Sequence, residues 1–128
     1  MAVSRVLVVD DDLIHQKIAQ IMIDRHQIFD ECDSFTDGQL AIDYLRDNGN
    51  NPDLLPNVIL LDLNMPNLDG WGFLDQFLSL YDNIKKEIKV YIVSSSVDTK
   101  DIVRSKIYPF VSGFISKPLS PEILRNTQ

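Results

Sequence analysis

Short runs of continuous apolar residues alternate along this chain with longer stretches whose apolar positions recur every three or four residues. The strand-like runs are Arg5 to Val9, Ile28 to Ser34, Asn57 to Leu61, Ile88 to Val93 and Gly113 to Ser116. Between and after them lie helical patterns over Leu13 to Arg25, Thr36 to Asp47, Gly70 to Tyr81, Asp98 to Ile107 and Ser120 to the end. The alternation predicts a (βα)5 chain with a parallel sheet. Val6 to Val9, Val58 to Leu61 and Val90 to Val93 are almost wholly aliphatic, as strands covered by helices on both faces must be. The run Ile28 to Ser34 carries Asp30, Glu31 and Asp33, and the last run is short, so these two belong at the sheet edges. A doubly wound, flavodoxin-like sheet of order 2-1-3-4-5 satisfies that placement, with its site at the carboxyl ends of the strands, between the first and third.

Within the first helix Ile14, Ile18, Ile21 and Met22 form one stripe, which should pack on the sheet. Leu74, Phe77, Leu78 and Tyr81 repeat the pattern in the third helix. Thr36 with Gln39 reads as a capping box, and Ser120 before Pro121 as an N-cap followed by proline at the first helical position. The Asn- and Pro-rich stretch Asp47 to Asn57 reads as a tolerated insertion.

A length of 128 residues fits one domain, spanning 1–128, with room for one continuous core and none for a second fold. The net charge of −7 argues against a surface that binds nucleic acid through clustered Lys and Arg. No apolar stretch nears the roughly 18 residues of a bilayer span, and Arg5 with Asp10, Asp11 and Asp12 interrupts any signal-peptide pattern. Cys32 stands alone, so no internal disulfide can form. A cytoplasmic protein without membrane partners is expected.

Chemistry concentrates at the strand ends. Asp10, Asp11 and Asp12 follow the first strand, Asp62 ends the third, Ser94 the fourth, and Lys117 follows the fifth, so all converge on one rim. Carboxylates about 4 Å apart repel by roughly 4 kcal/mol at an effective dielectric near 20, so such a cluster calls for a hard cation. Magnesium suits it, needing only one or two carboxylates and keeping positions open for water and phosphate oxygens. A carboxylate beside that ion and a lysine is equipped to attack a phosphoryl group in line. Asp12 reads equally well as a helix N-cap. Met65, Pro66, Asp69 and Gly70 read as turn formers, His15 and His26 as surface residues, and Trp71 and Phe73 as packing or partner contacts.

The segments VLVVDDD, LLDLNMPNLDGWGFL, IVSSS and FISKPLS, in that order, resemble the four signature blocks of CheY-like response-regulator receiver domains of two-component signalling. The resemblance implies that Asp62 is the phosphoacceptor, and that Asp11, Asp62 and the main-chain carbonyl of Asn64 hold Mg2+, with Asp10 assisting, often through water. It further implies that Lys117 pairs with Asp62 or its phosphoryl group, that Ser94 and Phe114 are the switch residues, and that the Lys117–Pro118 bond is cis. Ser94 stands where threonine is frequent and Phe114 where tyrosine is frequent. The implied partners are a sensor histidine kinase or histidine phosphotransfer protein and a downstream protein target. The protein would be a signalling switch rather than an enzyme, a stand-alone regulator or a phosphorelay shuttle. A haloacid dehalogenase-type phosphatase, with Asp10 as nucleophile and Asp12 beside it, is the alternative; Ile14 and the short chain fit it poorly. A receiver-like binding module that is never phosphorylated is disfavoured because every residue of the implied set is present.

Overall fold

Three aliphatic runs, Arg5–Val9 (β1), Val58–Asp62 (β3) and Lys89–Ser94 (β4), make the middle of a parallel sheet, because only strands covered on both faces can bury side chains that point both ways. The computed structural model describes residues 3–128. Its remaining elements are α1 (Leu13–His26), β2 (Glu31–Phe35), α2 (Gly38–Asp47), α3 (Gly70–Tyr81), α4 (Thr99–Ser105), β5 (Val111–Ser116) and α5 (Pro121–Thr127), with a 3-10 turn over Pro52–Leu54. The strand order is β2-β1-β3-β4-β5, with every neighbouring pair parallel. Winding reverses between β1 and β3, so those two strands open a crevice at their carboxyl ends.

Alternate residues of each central strand feed two cores. Leu7, Val9, Ile59, Leu61, Val90 and Ile92 meet Ala41, Ile42 and Leu45 of α2 and Phe73, Leu74 and Phe77 of α3. On the opposite face Val6, Val8, Val58 and Leu60 meet Ala19 and Ile23 of α1 and Leu124 of α5. The edge strands carry the polar residues expected of them. The stretch after α2 is pinned at the far end of the sheet from the aspartates: Lys86 Nζ donates to the carbonyls of Pro52 and Leu55 at 2.9 and 2.7 Å, and Leu55 is fully buried.

The face of α1 differs from the sequence expectation. Ile14, Ile18 and Ile21 are 74, 44 and 50% exposed, and α1 instead presents Gln16, Ala19 and Ile23 to the sheet. Gln16 is the physical reason. Its side-chain amide donates at 2.8 Å to the carbonyls of both Asp10 and Phe35, which lie just past β1 and at the end of β2. Buried carbonyls need donors, so a polar residue takes the inward place and the isoleucines turn outward. Leu78 of α3 is likewise exposed, while Phe73 takes its place in the core. Helix α2 is capped by Asp37, which accepts from Gln39 N, rather than by Thr36. Ser120 caps α5 as expected, accepting from Ile123 N.

These two faces of α1 should respond differently to mutation. Ile23→Ala is expected to cost about 2–5 kcal/mol of unfolding free energy in urea, whereas Ile18→Gln should change it by less than about 0.5 kcal/mol.

Candidate functional site

The acids sit where the strands end because hydrogen bonding carries β1 and β3 to the same level. Val9 pairs with Leu61, and Asp10 N extends the ladder by donating to Phe35 O at 3.1 Å. Asp10 and Asp62 are then neighbours across the reversal point, 3 and 6% exposed, with Asp11 exposed beside them. Carboxylate oxygens of Asp10, Asp11 and Asp62 lie within 4.8 Å of one another. Local turns orient two of them: Asp12 N donates to Asp10 Oδ1 at 2.9 Å, and Asn64 N to Asp62 Oδ1 at 3.0 Å. Asp12 itself is the N-cap of α1, accepting from Ile14 N and His15 N.

Among the described residues one ammonium faces these acids. Lys117 Nζ lies 3.3 Å from Asp62 Oδ2 and 3.6 Å from Asp10 Oδ2. Burial raises the Asp10 carboxyl above its usual range and the neighbouring Asp62 charge adds to that rise, while Asp12 N, His15 and Lys117 oppose it. A single lysine leaves the cluster with excess negative charge, and the donors are all hard oxygens. This set fits a hard divalent cation such as magnesium.

The remaining expected residues gather nearby with different roles. Ser94 is buried at the end of β4, but its hydroxyl turns onto its own loop, donating to Ser96 O at 3.0 Å rather than reaching Asp62. Lys117 N donates to Ser94 O at 2.9 Å, tying the two strand ends together. Phe114 of β5 is half-buried against the larger core. The Asn64 side chain is exposed, and Asn64, Trp71, Ser94 and Ser96 line one open depression. The Lys117–Pro118 peptide bond is cis, as expected. Asp69 caps α3 by accepting from Gly72 N at 2.8 Å. Gly70 is required by close approach, since a Cβ there would lie 2.6 Å from Leu63 Cα. Trp71 stacks on Tyr108 and lies under the Arg104 guanidinium at 4.3 Å, so it packs α3 against α4.

The sequence matches the family model of the response regulator receiver domain over residues 6–127. The chain belongs to that family. The crystal structure of a two-component response regulator from Cytophaga hutchinsonii superposes on this receiver domain with a TM-score of 0.86, at 30% identity, covering 99% of this chain and 95% of the other. The Mn(2+)-bound form of response regulator Rcp1 gives 0.74 at 26% identity, covering 98 and 89%. The probable methanogenesis regulatory protein FilR2 of Methanothrix harundinacea is 30% identical over 122 residues, 95% of this chain and 77% of that one. A haloacid dehalogenase phosphatase finds no support: the receiver family spans the chain, and Asp12, its would-be second acid, caps a helix. Among the described residues no helix is long and apolar enough to cross a membrane.

One member of the receiver site escaped the sequence reading. His15, expected at the surface, turns back so that Nδ1 lies 2.6 Å from Asp10 Oδ2. Its signal was position: the third residue of a helix leans toward the residues before the cap. Cys32 is half-buried, and burial with the nearby Asp33 and Asp24 pushes its thiol up to about 12, which suits an inert packing residue.

The raised Asp10 carboxyl has a consequence for stability. Native protein holds its proton above the ordinary value of 3.8, so stability falls as pH rises from there through the raised value. Asp10→Asn, which keeps the shape and drops the charge, should therefore be more stable than wild type in urea at pH 7. Its advantage should vanish on acidification below the ordinary carboxylate range.

Proposed function

We propose that this receiver domain is a phosphorylation switch in which Asp62 accepts a phosphoryl group from a phosphohistidine, with Mg2+ held by Asp11, Asp62 and the Asn64 carbonyl, and Asp10 assisting through water. The convergence of Lys117, Asp10 and Asp11 on the Asp62 carboxylate carries this reading. Bound there, the ion would draw charge from the phosphoryl oxygens. The Mn(2+)-bound Rcp1 supports a divalent ion in this fold. Asp62 Oδ2 attacks phosphorus as the N–P bond of the donor breaks, and the freed imidazole takes up a proton. Lys117 leaves its carboxylate partner for the new phosphoryl oxygens, and the Ser94 hydroxyl swings from Ser96 O to donate to them. Phe114 then turns inward, altering α4, β5 and α5. Ile102, Val103 and Ile107, in and just after α4, are exposed apolar residues available to a downstream protein.

The donor is a sensor histidine kinase or a histidine phosphotransfer protein. Outward-facing Ile14, Ile18 and Ile21 begin two residues after Asp12, so a donor helix laid on them would hold its histidine over the acidic rim. The chain acts as one phosphoacceptor unit in the cytoplasm, with no chemistry beyond phosphoryl gain and loss, and with no nucleic-acid or membrane partner.

Incubated with acetyl phosphate and Mg2+, the protein should gain one phosphoryl group, located on Asp62 by borohydride trapping and peptide mass spectrometry, and Asp62→Asn should gain none. Label on Asp10, or undiminished label in the variant, would contradict the proposal. Ile18→Glu should leave labelling by acetyl phosphate unchanged and slow transfer from a phosphohistidine protein at least about tenfold, the equivalent of roughly 1.4 kcal/mol.

A further inference from the structure

His15 makes a contact for which core packing gives no reason. Its ring is mostly buried beside the acids, Nδ1 sits 2.6 Å from Asp10 Oδ2, and the other nitrogen, Nε2, is buried with no hydrogen-bond partner among the described residues. To bind a cation Asp10 must be ionised, and toward an ionised carboxylate a ring nitrogen can only donate, so in the metal-bound form the hydrogen of this contact belongs on Nδ1. An aliphatic side chain here would leave no orphaned nitrogen. Among the described residues the ring's one polar contact is with Asp10.

Asp10 is the acid with least freedom. Oδ1 accepts from Asp12 N, while Oδ2 is shared between His15 and Lys117. Lys117 also serves Asp62, and in the proposed reaction it leaves for the phosphoryl oxygens. His15 would then be the side chain still holding Asp10 in place. We propose that His15 is a positioning residue that fixes the Asp10 carboxylate for the divalent cation, an inference that rests on the metal-assisted reading above. It acts through Asp10 and touches neither the ion nor the phosphoryl group. Imidazoles and carboxylates that orient metal-site groups from behind typically control affinity by tenfold or more.

The test is a Mg2+ titration of wild type, His15→Leu and His15→Gln, followed by the backbone amide shifts of Asp11, Asp12 and Asn64. Leucine keeps the buried shape and removes the donor; glutamine at the third helical position restores a donor that reaches back past the cap. His15→Leu should bind Mg2+ about tenfold more weakly while unfolding no more easily than wild type without metal, and His15→Gln should recover most of the affinity. Leucine binding as tightly as wild type, or glutamine as weakly as leucine, would overturn the inference. Absence of any shift in wild type would overturn the metal reading itself and this inference with it. A long-range proton–nitrogen spectrum of the Mg2+-loaded protein gives a check that needs no variant: the hydrogen should be found on Nδ1 of His15, and a ring carrying it on Nε2 alone would overturn the inference.

Discussion

Repulsion among the carboxylates of Asp10, Asp11 and Asp62, only partly offset by Lys117, is the constraint around which the carboxyl rim of this protein is organised. Like charges at such separations cost a few kcal/mol each even in a polarisable surface setting, and two of these acids are nearly inaccessible to water. Folding holds them together regardless, so the fold stores an unfavourable charge arrangement that a cation or a charge-spreading reaction relieves. Strain of this kind at a site, sustained by a well-packed body, is the usual compromise between stability and function.

The body sustains it through parallel pairing. Val9 opposite Leu61 and Leu61 opposite Ile92 bring three strand ends to one level, and aliphatic residues on both faces leave that register no slack. Because α1 starts immediately after the acids, its first turn does several tasks at once: Asp12 caps it, His15 reaches back to Asp10, and Gln16 satisfies the carbonyls of Asp10 and Phe35. A polar inner face on α1 follows, and the apolar residues displaced from it form an outward stripe beside the site. The acidic rim and the outward apolar stripe of α1 thus have one structural origin.

The central strands, their order and the acids at their ends were legible in the sequence because their signals are local: continuous aliphatic runs followed by aspartate or serine. The conjunction of Asp10, Asp11, Asp62 and Lys117 followed from that topology alone. The orientation of α1 was not legible, because apolar residues occur on both of its sides and periodicity cannot know that the Gln16 amide is drawn inward by the buried Asp10 carbonyl and by that of Phe35. His15 was misjudged for the same reason: its partner is fixed by the helix start and not by any histidine spacing. Thr36 and Asp37 both have capping side chains, and only backbone geometry distinguishes them. Ser94 was placed correctly on the rim, yet its hydroxyl direction depends on the turn after β4.

The most direct test of a metal-assisted phosphoacceptor at Asp62 is a crystal structure grown with Mg2+ and beryllofluoride, a phosphoryl mimic. Beryllium bonded to an Asp62 oxygen, Lys117 on a fluoride, and magnesium bound by Asp11, Asp62 and the Asn64 carbonyl would bear the account out. A mimic seated on another acid, or a metal that avoids the cluster of Asp11 and Asp62, would contradict it.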